Sequence, residues 1–322
     1  MIRLANSQMI VVLNPAKGGE ILHIGRPGGL NSLATYDWES PAASSTLHSY
    51  YDSQLDWLST YRGGWQETVP NAGLHSEGDG VPLPFHGEAS VLAWTVDVQE
   101  EARCVLHTSL RLPLTVTREM SLDPHNAVLR VRGLVRNDSD RAVDFVWGHH
   151  PVFPALPGTQ IHVPRTRYQL DPGQVGDLVS TSGEWPHAKD VSGAAVDLER
   201  APEHQTHRLM YLHGHTEGWA VIRQPEPQPS VAMVWDLATW PAMWLWENLG
   251  DAGYPWFGRM NIVAVEPQRA WPFDGLAGAV SRNQHLTAPP RGEIASWLTY
   301  SLPGHLPARI GRVVESGEVI DE

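Results

Sequence analysis

Asn126-Ala127-Val128-Leu129-Arg130-Val131-Arg132-Gly133-Leu134-Val135-Arg136 repeats with a period of two. Leu129, Val131 and Val135 face one way, and Arg130, Arg132 and Arg136 face the other. Successive side chains of a strand point to opposite faces, so this is a strand buried on one side. Asn137-Asp138-Ser139-Asp140 follows; Asn and Asp tolerate left-handed backbone and bond locally, which makes a turn. Val143, Phe145 and Trp147 then resume the alternation, predicting a hairpin over 128–148. Outward from this segment, strands are predicted at 9–13, 20–24, 91–98, 105–112, 115–121, 220–223, 231–235, 243–246, 262–266 and 296–302. The 26 prolines and 29 glycines leave few windows for a helix, and 49–58 is the best one. Many strands without alternating helices predict an all-β sandwich or barrel.

The 322 residues show no repeat and no linker. The Pro-rich stretch 224–229 reads as a stiff hairpin loop. One domain over 1–306 is therefore expected, followed by a polar surface tail at 307–322. A net charge of -13 argues against nucleic acid and against an anionic membrane surface. The single cysteine, Cys104, excludes an internal disulfide and fits a reducing compartment. No apolar run predicts a signal peptide or a membrane span, so a cytoplasmic location is expected. The 14 tryptophans and 16 histidines are numerous for this length. Tryptophan offers flat faces to sugar C–H groups, and imidazole titrates near neutrality.

Several residues could carry chemistry. In Asn261-Ile262-Val263-Ala264-Val265-Glu266, alternation puts Glu266 on one face with Ile262 and Ala264. A carboxylate there is expected to be half-buried, which raises its pKa toward the range of a general base. Pro267 is expected to end the ladder. His149 and His150 close the strand that begins at Val143. Alternation sends them to opposite faces, so one is functional and one structural, and alternation does not choose between them. His86 stands before Gly87, a residue permitting unusual backbone or close ligand approach. The loop 61–73, with Arg62, Trp65, Gln66 and Asn71, combines the polar and aromatic groups that a polyol requires. In 236–248, Trp244 and Trp246 share a face, and Asp236 and Trp246 are further candidates for contact with a sugar. His204, His207, His213, His215 and Glu217 form a loose metal-like pattern without a convincing fourth ligand, and no metal is expected.

Taken in order along the chain, these segments resemble the galactose mutarotase-like, or aldose 1-epimerase, superfamily. The resemblance runs from Asn14-Pro15-Ala16-Lys17-Gly18-Gly19-Glu20-Ile21 through Gly63-Gly64-Trp65-Gln66-Glu67, Pro70-Asn71-Ala72-Gly73 and His86-Gly87. It continues through His149-His150-Pro151-Val152-Phe153 and Val265-Glu266-Pro267-Gln268 to the Pro290-Arg291-Gly292-Glu293 stretch. It implies a β-supersandwich and cofactor-independent interconversion of α and β anomers of an aldose or modified hexose. By the same resemblance Glu266 is the base, His150 fits the acid better than His149, and His86 bonds the sugar near its reacting oxygens. From the residues themselves, Arg62, Trp65, Gln66, Asn71, His149, Asp236 and Trp246 are the expected sugar contacts. A small-molecule sugar is the expected partner; a non-catalytic carbohydrate-binding protein of the same fold is the alternative. The sequence departs from galactose-specific members, which carry an arginine at the motif matching Pro70-Asn71-Ala72 and a sugar-gripping aspartate without a clear counterpart near 207–213. The Gly-Gly-Trp-Gln-Glu segment resembles a less-characterised branch.

Overall fold

The computed structural model describes residues 1–36 and 52–322. Most of the strands fall into two antiparallel sheets. The ten-stranded sheet runs, in spatial order, Ile2–Ala5, Ile10–Asn14, Glu20–Gly25, Trp65–Thr68, Gly148–Pro154, Asn261–Gln268, Ala242–Leu249, Thr206–His213, Arg167–Val175 and Ser182–Glu184. The eight-stranded sheet runs Gln160–His162, Trp219–Arg223, Val231–Trp235, Glu293–Ser301, Val128–Asn137, Leu114–Leu122, Arg103–Ser109 and Thr95–Gln99. Between them lies one apolar cluster fed from both sides, with Trp65, Val263 and Val265 meeting Leu106, Val131, Leu298 and Tyr300. Burying two apolar faces against each other is what makes a sandwich stable.

The two layers are also joined by charge. Arg118 of the eight-stranded sheet reaches Glu67 of the ten-stranded sheet at 3.3 Å, both fully buried. Glu67 accepts a further hydrogen bond from Trp147 Nε1 at 2.7 Å, and the Arg118 guanidinium also bonds the Gly19 carbonyl and lies over Trp94.

The alternation in Val128–Asn137 is realised, but the predicted hairpin is not. This strand pairs with Leu114–Leu122 on one edge and Glu293–Ser301 on the other. Val143–Phe145 pairs instead with Leu286–Ala288. The physical reason is Asn137, whose amide donates to the carbonyls of Arg141, Ala288 and Pro289 and turns the chain out of the sheet. A period of two reveals a strand and not its partner. The stretch 224–229 does connect a hairpin, between Trp219–Arg223 and Val231–Trp235.

Three other expectations are corrected. The helix spans Ser53–Thr60 rather than 49–58, and positions 49–51 lie outside the described residues. Asp52 caps it by accepting from the Gln54 and Leu55 amides. Pairing continues through Pro267, which stands opposite Met243, to Gln268 opposite Gly148. Proline removes one donor, and the neighbours hold the ladder. Finally, 307–322 is not a bare tail. It forms a hairpin of Ile310–Val313 with Val319–Asp321, and Val313 is buried with Leu306 against Trp219, Val221, Ala232 and Val234. No helix among the described residues is long and apolar enough to cross a membrane.

Candidate active site

The outer face of the ten-stranded sheet carries the site. Val263 and Val265 enter the core, so Ile262, Ala264 and Glu266 point the other way, as alternation requires. Gly148 opposite Gln268 and Val152 opposite Ala264 place His150 across from Glu266 in the neighbouring strand. On the other edge Glu266 stands opposite Trp244. The same alternation turns His149 inward, where Trp65 Nε1 donates to its Nδ1 at 3.2 Å and its ring meets Trp240 at 4.7 Å.

A cavity of about 230 Å³ opens on this face. Its floor is His86, His150, Trp244 and Glu266, and its walls include Trp57, Phe85, Trp246, Trp256 and Phe273. Gln54, Gln174, His207, Asp251 and Tyr254 add polar groups. His150 Nε2 lies 3.6 Å from Glu266 Oε1. This is beyond a normal hydrogen bond and within reach of a proton carried by a shared ligand. Both side chains are buried, Glu266 to 2% exposure rather than the expected half.

Burial sets the electrostatics. It pushes the Glu266 carboxyl well above its usual range, opposed only by a hydrogen bond from Gln268. It pushes His150 down to about 4 and His149 down to about 3. His86 is driven well below the ordinary imidazole value, first by burial and then by His150. Removing a charge from water favours the neutral form of acid and base alike.

His86 is held by its backbone. It has φ 55 and Gly87 has φ 72, consecutive left-handed residues. A Cβ on Gly87 would meet the Val69 carbonyl oxygen at 2.4 Å, so glycine is required there. The Gly73 amide donates to His86 Nδ1 at 3.3 Å. That nitrogen is therefore an acceptor, and the proton of the neutral ring resides on Nε2. The ring centroids of His86 and His150 are 5.2 Å apart.

The two-sheet sandwich can be set beside known structures. No family model and no curated protein sequence matches the chain. Solved structures do. Slr1438 from Synechocystis is 17% identical over 93% of this chain and 94% of its own, with a TM-score of 0.67. A galactose mutarotase-related enzyme from Lactobacillus acidophilus is 15% identical, covering 94% of this chain and 97% of its own, with a TM-score of 0.61. A galactose mutarotase-like protein from Lactobacillus casei is 15% identical, covering 94% and 100%, with a TM-score of 0.60. The fold is that of the galactose mutarotase-like proteins. At these identities the likeness concerns architecture, and chemistry has to be argued from the side chains.

Of the residues singled out in the sequence, the mutarotase-like fold brings His86, His150, Glu266, Trp246, Trp244 and His207 to one cavity. The others are elsewhere. Trp65 is a core residue facing Tyr300 at 5.8 Å. Gln66 is buried and donates to the Gly63 carbonyl. Asn71 braces backbone, donating to the Leu74 and Pro84 carbonyls and accepting from Leu276. Asp236 caps its own turn through Ala238 and Thr239 and accepts from Ser296 on the adjacent strand of the eight-stranded sheet. Arg62 is not among the described lining residues; its charge acts on Lys17. His204 pairs with Asp177, apart from His207 and Asp251 in the cavity, His213 stacks on Trp271, and His215 bonds the Leu212 carbonyl.

Sequence reasoning missed Trp57, Phe85, Phe273, Asp251 and the loop residues Tyr254 and Trp256. Trp57 lies on the predicted helix and Phe85 beside His86, so proximity to chosen segments was their only signal. Asp251 reaches the cavity in an ion pair with His207, 3.1 Å away. The two are far apart in sequence, and no spacing could have joined them.

Proposed function

We propose that this protein is a cofactor-independent mutarotase acting on an uncharged aldose. The observation that carries the reading is Glu266 facing His150 at 3.6 Å on the floor of a cavity walled by tryptophans, with His86 beside them. Mutarotation requires a base at the anomeric hydroxyl and an acid at the ring oxygen. Glu266 takes the O1 proton while His150 delivers one to O5. The C1–O5 bond breaks, C1–C2 rotates in the open aldehyde, and reclosure returns both protons. The pair holds one proton before and after each turnover. In the empty site burial favours a neutral carboxyl beside a neutral imidazole, which is the same proton count. A sugar hydroxyl donating to the carboxylate and a ring oxygen accepting from the imidazolium would favour the ionic form. His86, with its proton on Nε2, donates to the oxygens near C1. Trp57, Trp246 and Trp256 cover apolar sugar faces.

The absence of charge on the substrate is read from the lining. Neither Lys nor Arg is among the described lining residues, whereas Asp251 and Glu266 are. The sequence of 37–51 contains no Lys or Arg either. A phosphate or carboxylate would find no Lys or Arg among the described lining residues and would face Asp251 and Glu266. Polarimetry or anomer-resolved NMR exchange on fresh α-glucose, α-galactose and α-glucose 6-phosphate tests both parts. Acceleration for a neutral sugar, abolished by Glu266→Gln, is the expected result. Binding without acceleration would leave a carbohydrate-binding protein, and preference for the phosphate would overturn the charge argument.

A further inference from the structure

We infer that Gln268 is a positioning residue, whose amide orients the Glu266 carboxylate and keeps it a usable base. This rests on the reading of Glu266 as that base. Gln268 is 1% exposed and lies two residues beyond Glu266 on the same face of one strand. Its Nε2 donates to Glu266 Oε2 at 3.2 Å. Oε1, the oxygen nearer His150, has no such donor among the described residues and stays available to a ligand. The Gln268 amide is itself placed: Thr68 Oγ1 donates to its Oε1 at 3.4 Å, and the His149 carbonyl lies 3.5 Å from its Nε2. Thr68 and His149 belong to the next two strands, so the amide ties the base to the strand carrying the proposed acid.

Space for this arrangement is made by Gly148, directly opposite Gln268. A Cβ on Gly148 would fall 1.7 Å from Gln268 Oε1, which only glycine avoids. A buried carboxylate lacking any donor would stay protonated and could not accept the anomeric proton. One directed N–H stabilises the charged form and leaves the other oxygen free.

The test uses the whole chain. With carboxyl-13C-labelled glutamate, the Glu266 resonance, assigned by its loss in Glu266→Gln, is titrated in wild type and in Gln268→Met. Met keeps volume and removes the donor. The Glu266 midpoint is expected to rise by about one pH unit. The acidic limb of kcat/KM on a neutral aldose should move alkaline by the same amount. Gln268→Leu, which likewise removes the donor and adds no charge, should raise the midpoint too and serves if the Met variant does not fold. A merely structural Gln268 would lower the melting temperature and leave the midpoint in place; an unchanged or lowered midpoint overturns the inference. The titration needs no turnover. An inactive wild type would sink the mutarotase reading while the midpoints still decide the role of Gln268.

Discussion

Glu266 is a carboxylate buried at a cost to the fold. Burial raises its pKa in the folded chain. With a raised folded pKa, its contribution is intact below the unfolded carboxyl value and is lost as pH rises through the folded one. Glu266→Gln should therefore reduce turnover by 10²-fold or more, on the order of a lost general base. The same change should raise the melting temperature above pH 5, by a margin that grows toward pH 8. A variant no more stable than wild type at pH 8 would contradict the electrostatic account. His150 and His149 provide the paired comparison. His150→Asn should cost about 10²-fold or more in kcat with little loss of stability. His149→Asn should spare kcat and destabilise, because it opens a gap against Trp240 and unpairs Trp65 Nε1. The reverse pattern in kinetics and thermal melts would exchange the two roles.

Individual strands were largely legible. Ile262, Ala264 and Glu266 fall on one face, and His149 and His150 on opposite faces, as a period of two demands. Sequence alternation left open which histidine faces the cavity; the register of Gly148–Pro154 against Asn261–Gln268 decides it. Strand partners were not legible. Val128–Asn137 has apolar residues suited to either edge, and the choice fell to Asn137 and to the return of Glu293–Ser301. Gly148 supplies the test at this scale. Gly148→Ala should displace the Gln268 amide, lowering kcat/KM with a stability loss of about 1–3 kcal/mol. Urea unfolding and kinetics on one preparation would check it; unaltered kinetics would mean that the amide finds another way past the methyl.

Across the whole molecule the sandwich is joined at its centre by Arg118 and Glu67, an ion pair without solvent. Burial raises the Glu67 pKa and lowers that of Arg118, so desolvation opposes both charges. Such a pair adds little net stability, yet removing one member strands the other. Glu67→Ala should cost about 3–5 kcal/mol in chemical unfolding. A loss below about 1 kcal/mol would mean that water reaches Arg118 in the variant.

By itself the sequence determined the all-β class, because alternation records which side of each strand is apolar. It also marked His86, Glu266 and the His149–His150 pair, because acid–base residues beside proline and glycine stand out from a β pattern, whereas the preference for His150 came from the resemblance. Only the tertiary structure decided that Trp65, Asn71, Asp236 and His149 brace the frame while Trp57, Trp256 and Asp251 complete the cavity. A strand's period specifies two faces. Which face meets the opposing sheet, and which loops close over the other, depends on pairings between residues far apart in the chain.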